Sequence, residues 1–152
     1  MTGRRRFLAA IAGALALPAA YPDAANAQVE LRPIEPLIKA LTGGAVARKG
    51  RVTLVLPQFV DNGNAVPLTV TVDSPMSAND HVKSIHLVSN RNPVAQMANF
   101  YIGPRSGRAQ LITRVRLAGS QTVTAIAALS DGSFWSDSVD VVVTVSACLD
   151  ES

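Results

Sequence analysis

Val66-Pro67-Leu68-Thr69-Val70-Thr71-Val72 sets Val66, Leu68, Val70 and Val72 at every second position, with proline and threonine between them. A period of two sends successive side chains to opposite faces of an extended strand, so this stretch has one wholly apolar face and one mixed face. The period continues in both directions. Upstream, Val52, Leu54 and Leu56 alternate with Thr53 and Val55, and Asp61-Asn62-Gly63-Asn64 reads as the turn between the two strands. Downstream, β-branched residues dominate 81–89, 97–102, 108–117, 121–129 and 138–147, each bounded by Asp, Asn, Gly or Pro. Strands of this number and size predict an all-β fold, an immunoglobulin-like antiparallel β-sandwich of about seven strands. Trp135, Phe100, Tyr101 and Phe134 are available as bulky packing groups in an otherwise aliphatic core.

Ahead of the strands the period changes. Leu31, Ile34, Leu37, Ile38 and Leu41 recur at three and four residues, which predicts a short amphipathic helix within 28–48. Pro33 and Pro36 suit its first turn and Gly43-Gly44 its end. Its apolar stripe is expected to cover an edge of the sandwich, with contact to a partner as the alternative.

The first 27 residues read as a processing segment. Arg4-Arg5-Arg6-Phe7-Leu8 opens an apolar run from Leu8 to Ala20, and Ala25-Asn26-Ala27 is a small-residue cleavage site. Paired arginines followed by Phe and Leu resemble a twin-arginine signal, although Gly3 stands where that signal prefers Ser or Thr. The run is shorter than the roughly 20 apolar residues of a spanning helix. The expected organisation is therefore a signal peptide over 1–27, a helical segment over 28–48, a sandwich domain over 49–147 and a tail over 148–152, in a periplasmic protein without a membrane anchor after cleavage. Cleavage removes three of the 14 basic and one of the 11 acidic residues, so the mature chain is nearly neutral. That balance gives no reason to expect nucleic acid as a partner.

Cys148 is the single cysteine. It cannot form an intramolecular disulfide, and an unpaired thiol in an oxidising compartment is exposed to oxidation and wrong pairing. On position alone, a functional thiol and an incidental one stand level. On the last strand Val139, Val141, Val143 and Val145 share one face, while Asp140, Val142, Thr144 and Ser146 share the other. Continued alternation puts Cys148 on the polar side. Asp150, Glu151 and the terminal carboxylate would disfavour a thiolate there, and no base lies nearby in sequence, which favours a thiol presented to other enzymes over a self-activated one.

A metal site of His81, His86 and Cys148 is disfavoured, because residues five apart on one strand face opposite ways unless a bulge intervenes. No Gly-rich phosphate loop and no Ser/His/Asp set at recognisable spacing is present. Arg105, Arg108, Arg114 and Arg116 could attract an anion, but alternating arginines on a strand read first as a solvated face.

Val66-Pro67-Leu68-Thr69-Val70-Thr71-Val72-Asp73-Ser74-Pro75-Met76, then Gln121-Thr122-Val123-Thr124-Ala125, then Ser130-Asp131-Gly132-Ser133-Phe134-Trp135 and a terminal cysteine together resemble the SoxY family, the sulfur-carrier subunit of the periplasmic thiosulfate-oxidising Sox system. The resemblance runs from about Arg51 to Cys148. It implies an immunoglobulin-like subunit that pairs with a SoxZ-like β-sandwich and carries oxidation intermediates covalently on Cys148, without a cofactor and without catalysing. It implies three kinds of enzyme partner: a Sox cytochrome that attaches thiosulfate oxidatively, a hydrolase that releases sulfate, and a sulfane dehydrogenase. The tail departs from the family's usual Gly-Gly-Cys-Gly-Gly. Here Ser146-Ala147 precede the cysteine and Leu149-Asp150-Glu151-Ser152 follow it, which should give a stiffer, bulkier and more acidic arm.

Overall fold

The structure, a computed structural model, describes residues 31–147; the expected signal peptide and the tail from Cys148 onward lie outside the described residues. Alternation becomes strands throughout: β1 (Ala47–Arg48), β2 (Val52–Val55), β3 (Phe59–Asn62), β4 (Val66–Val72), β5 (Val82–Ser89), β6 (Gln96–Tyr101), β7 (Gln110–Val115), β8 (Gln121–Leu129) and β9 (Phe134–Val145). They form a three-stranded sheet ordered β2-β4-β7 and a six-stranded sheet ordered β1-β9-β8-β5-β6, with β3 also paired to β9. The inner faces close on a core of Leu54, Leu68 and Val70 from one sheet and Val82, Ile85, Leu87, Val123, Ala125 and Val141 from the other. The fold is the expected all-β sandwich with a short helix before it.

All seven expected strands form, and two further ones join them. β1 pairs in parallel with β9 at Phe134 and Trp135, and β3 pairs in parallel with it from Val142 to Val145. Asp61 and Asn62, read as turn residues, are instead the end of β3, because β9 engages their backbone; the turn is Gly63-Asn64, with the Asn64 amide donating to Asn62 Oδ1 at 2.9 Å. The last strand also starts four residues before the expected Ser138, at Phe134, since β8 pairs with it from there.

The helix, α1 (Glu35–Leu41), has a proline in its first turn, and its carbonyls are met past the C-terminus by Gly44, which donates to Lys39 O at 2.8 Å. Gly43 and Gly44 sit at φ +62° and +91°, where a Cβ would be strained. The stripe of Ile34, Leu37, Ile38 and Leu41 does not cap a sheet edge. It packs with Val88, Ile126 and Phe134 on the outer face of the larger sheet, which corrects the expectation. The physical reason is that the inner strands β5 and β8 carry Val88 and Ile126 outward, and only a cover on the face removes that apolar surface from water.

β5 holds a second correction. Its register against β8 shifts between Val82 and Ser84, so Val82 and Ile85 both face the core although three positions apart. The bulge that parity set aside for this strand does occur, and the argument that separated His81 from His86 by face does not hold.

Candidate functional site

The strand that leads to Cys148 is built in two parts. From Phe134 to Val141 β9 pairs with β8, and its alternation is as expected, with Val141 and Val143 buried while Asp140, Val142 and Thr144 face out. Beyond Val141 the strand leaves β8 and pairs in parallel with β3 as far as Val145, with one further contact at Val142 and one at Val143. The Val142 amide donates to Gln58 O at 2.8 Å, and the Val143 amide to Ser120 Oγ at 3.0 Å.

The strand end is then tied into a knot. Gly63 N donates to Val145 O at 2.9 Å, Leu117 N donates to Gly63 O at 2.9 Å, and Ala147 N donates to Leu117 O at 3.0 Å. Ala147 is only 5% exposed. A Cβ at Gly63 would overlap the Leu117 carbonyl oxygen and lie 3.0 Å from the Ala147 nitrogen and 3.2 Å from Val143 Cγ1. Glycine is needed there for close approach, since its φ is not in the left-handed range. The turn signal in the sequence was real, but its use as a packing partner for the C-terminal strand was not legible from one segment alone.

Cys148, the one residue expected to carry chemistry, lies outside the described residues, as do Asp150 and Glu151. Its covalent neighbour Ala147 is the last described residue and belongs to the knot. Close to this end of the sheet the surface is apolar: Phe59, 80% exposed, pairs in register with exposed Val142, and Val145 is exposed where the strand passes the end of the core.

The two histidines take part in separate arrangements. His81 Nδ1 lies 3.1 Å from Ser77 O. His86, 8% exposed, has Nε2 at 2.9 Å from Ser84 Oγ and Nδ1 at 2.7 Å from Asn99 Oδ1, which also accepts from Gln96 Nε2 at 2.6 Å. Because the Asn99 oxygen accepts, Nδ1 carries the proton and Nε2 takes the Ser84 hydroxyl hydrogen. This Ser84-His86-Asn99 chain escaped the sequence reading because its members lie on two strands joined by pairing of His86 with Asn99. In outline it has the order nucleophile, base and orienting group. Ser84 and His86 are both buried, and Tyr101 stands edge-on to the imidazole at 6.4 Å between ring centroids. The arrangement satisfies polar groups on the outer face of the sheet. Among the described residues no group of three or more His, Cys, Asp or Glu is placed to hold a metal.

Arg105, Arg108, Arg114 and Arg116 are all exposed. Arg114 and Arg116 rim a cavity of about 400 Å³ between the free edges of β6 and β7, whose floor includes Met97, Ala98, Phe100 and Val115. Of the aromatic residues, Phe100 and Trp135 pack on the main core and Phe134 under the helix, whereas Tyr101 is exposed and does not serve as a core group. Trp135 Nε1 donates to Ser133 Oγ at 3.0 Å, and the Arg51 guanidinium lies 5.9 Å from the Trp135 ring.

Residues 38–148 match the family described as "Sulfur oxidation protein SoxY", a match that ends on the cysteine. No curated protein matches the sequence. Among solved structures the sandwich is similar to a superoxide reductase (neelaredoxin) from Ignicoccus hospitalis, with 16% identity, TM-score 0.56, and 62% of this chain and 80% of that one covered. A putative superoxide reductase from Thermotoga maritima gives 19% identity and TM-score 0.53 over 64% of this chain and 87% of that one. The superoxide reductase from Nanoarchaeum equitans gives 12% identity and TM-score 0.51 over 63% and 100%. At such identities the likeness is one of fold.

Proposed function

The chain belongs to the SoxY family of sulfur oxidation proteins, and from that membership we propose that it is a covalent carrier of sulfur intermediates on Cys148. Family membership gives it a role in the Sox system and a partnership with SoxZ. The finer reading is a non-catalytic subunit of a SoxYZ-type heterodimer, exported to the periplasm by its twin-arginine-type signal and served there by a cytochrome, a sulfate-releasing hydrolase and a sulfane dehydrogenase. The observation that carries it is the family match running through the last strand to the single cysteine.

The chemistry asked of the thiol is simple. Oxidative conjugation joins Cys148 Sγ to the sulfane sulfur of thiosulfate, with loss of the thiol proton and transfer of two electrons to the cytochrome. Hydrolysis then adds water across the terminal S–S bond, sulfate leaves, and a persulfide stays on the cysteine. The carrier supplies a nucleophilic sulfur and a position; proton and electron handling belongs to the partners. A heterodimer is supported by the apolar groups left exposed, Val55 and Ile112 flanking Thr69 on the outer face of the smaller sheet, and Phe59 beside Val142 on the larger.

A second reading is favoured by one observation, the anchoring of Ala147, directly before the cysteine, by its amide bond to the Leu117 carbonyl. In it the chain is an immunoglobulin-like interaction subunit whose cysteine is dispensable or forms an intermolecular disulfide. The intact mass of the protein from its native periplasm, isolated without reductant while thiosulfate is supplied, separates the two. The carrier reading expects thiosulfate-derived and single-sulfur adducts that reductant removes and that Cys148→Ser never shows. An unmodified thiol, or only a disulfide-linked dimer, overturns it in favour of the scaffold.

A further inference from the structure

The sandwich is closed along one side and open along the other. On the closed side β2 ends the smaller sheet, and Asp137 Oδ2 on β9 reaches across to accept from its Leu54 amide at 3.0 Å, while β1 and β3 pair with β9. On the open side β6 and β7 end their sheets, and the cavity of about 400 Å³ lies between them. The smaller sheet is too narrow to shut it, with three strands against the five in line in the larger. Met97, Ala98 and Phe100 on β6 and Leu111 on β7 pack on the core but stay only partly buried. A further strand laid over them would remove that apolar surface from water.

The two open edges are not equally fit to take one. Exposed edges are ordinarily blunted by a bulge, a proline or charged side chains. β6 is bulged: Ala98 pairs with Leu87 and Gln96 with Val88, which leaves Met97 as the extra residue. β7 pairs with β4 without interruption from Gln110 to Val115, contains no proline and carries one charge, Arg114. Arg114 and Arg116 rim the cavity; among the described residues no acidic side chain lines it and neither arginine makes an ion pair. We propose that the free edge of β7 is a strand-addition site: an extended segment of a partner polypeptide pairs with Gln110–Val115 as a fourth strand of the smaller sheet, lays large apolar side chains over Met97 and Phe100, and sets a carboxylate opposite Arg114. The positive rim disfavours a second copy of the same edge and selects an acidic strand. The site follows from the fold and does not depend on what Cys148 carries.

The test uses the full mature chain and the probe peptide acetyl-Ser-Phe-Glu-Leu-Val-Leu-Thr-amide. Run antiparallel to β7, it sets Phe, Leu and Leu on the inner face, Val opposite Ile112 and Glu opposite Arg114. Amide hydrogen exchange is followed at the β7 amides that β4 does not engage, with Ile126 in β8 as internal reference. At about 1 mM peptide those β7 amides are expected to slow at least about tenfold, the effect of a ligand present at ten times its dissociation constant, while Ile126 is unchanged. The same peptide N-methylated at alternate residues keeps its side chains but lacks the ladder donors, and it should give no protection. Arg114→Glu should weaken binding about threefold, the usual scale of an exposed pair, and exchange of the peptide's Glu for Lys should restore it.

No slowing at β7 with the peptide present, or equal slowing with the methylated peptide, overturns strand addition. Protection at β7 that appears without peptide and rises with protein concentration overturns the choice of occupant in favour of a second copy of the chain. Protection in the free chain at all concentrations that is lost when the chain ends at Ala147 overturns it in favour of the chain's own tail. Binding indifferent to Arg114→Glu and to the charge of the peptide overturns the acidic specificity. If Arg114→Glu does not fold, the plain, methylated and Lys-containing peptides on the wild type still decide. None of these measurements needs sulfur on Cys148, so failure of the carrier reading leaves them intact.

Discussion

β5 and the end of β9 lie in the same sheet and are held in opposite ways. β5 sits between β8 and β6, with Val82, Ile85 and Leu87 in the main core and, on its other side, Val88 under the helix and Ser84 and His86 in a polar network. Beyond Val141, β9 has Val143 inward, Val142 and Thr144 in water, a short parallel pairing with β3, and a set of backbone hydrogen bonds at its end. Side-chain packing fixes β5 and so stabilises the whole domain. Backbone bonds, to β3 and to Gly63 and Leu117, fix the end of β9, which contributes little to global stability.

The contrast predicts its largest effect at Leu87, which is fully buried. Leu87→Ala should destabilise the domain by about 3 kcal/mol in urea unfolding, from lost transfer free energy and the cavity left behind. Val142→Ala should change it by less than about 0.5 kcal/mol, as for other surface positions. Similar losses at the two sites would mean that the end of β9 is part of the core and would remove the distinction.

Gly63→Ala comes next, at about 2 kcal/mol, the usual order for forcing atoms into an occupied space. What sharpens the comparison is where the loss appears. Exchange at Leu117 and Ala147 should rise before global unfolding does, whereas Leu87→Ala should raise exchange at β5, β8 and the knot together. Asn99→Ala follows, at about 1 kcal/mol, because it removes the acceptor for His86 Nδ1 next to a buried ring, and water at the exposed Asn99 position offsets part of the cost.

The same contrast explains what could be read from the sequence. One-sided burial writes a clean alternation, so β2, β4 and most of β9 were legible. β5 is buried on both sides and bulged, and its near-continuous burial hides which residues share a face, which is why the relation of His81 to His86 was misjudged. β1 and β3 are two and four residues long and are strands only because β9 offers them a parallel edge, a fact held by another part of the chain. The helix was legible from its period of three and four, but not the face it covers, which depends on Val88 and Ile126 some 50 and 90 residues on. For the candidate site, the sequence pointed to Cys148 and to an outward polar face at Thr144 and Ser146; the knot escaped it because three separated segments meet through backbone atoms that carry no residue signature.

The smallest effect concerns the other end of β9. In the turn between β8 and β9, Asp131 Oδ1 accepts from Ser133 Oγ at 2.6 Å and from Ser133 N at 2.8 Å, and Ser133 Oγ in turn accepts from Trp135 Nε1 at 3.0 Å. The Ser133 hydroxyl, then the Ser133 amide, hold the Asp131 carboxyl below its ordinary value, with the Arg51 charge acting in the same direction. A carboxylate whose pKa is depressed by folding stabilises the fold above its unfolded pKa, near 3.8, and that contribution disappears as pH falls through the lower folded value. Since the carboxylate is fully exposed, the global change should be slight, but the single tryptophan stands at the end of the hydrogen-bonded chain and should report it. Trp135 fluorescence is expected to shift below about pH 4 in the wild type and not in Asp131→Asn. If β9 is two differently held parts, Ala147 exchange, corrected for the intrinsic effect of pH, stays unchanged across that step. A coincident loss of protection at Ala147 would show the strand responding as one unit from turn to tail, and the distinction drawn between its two parts would fail.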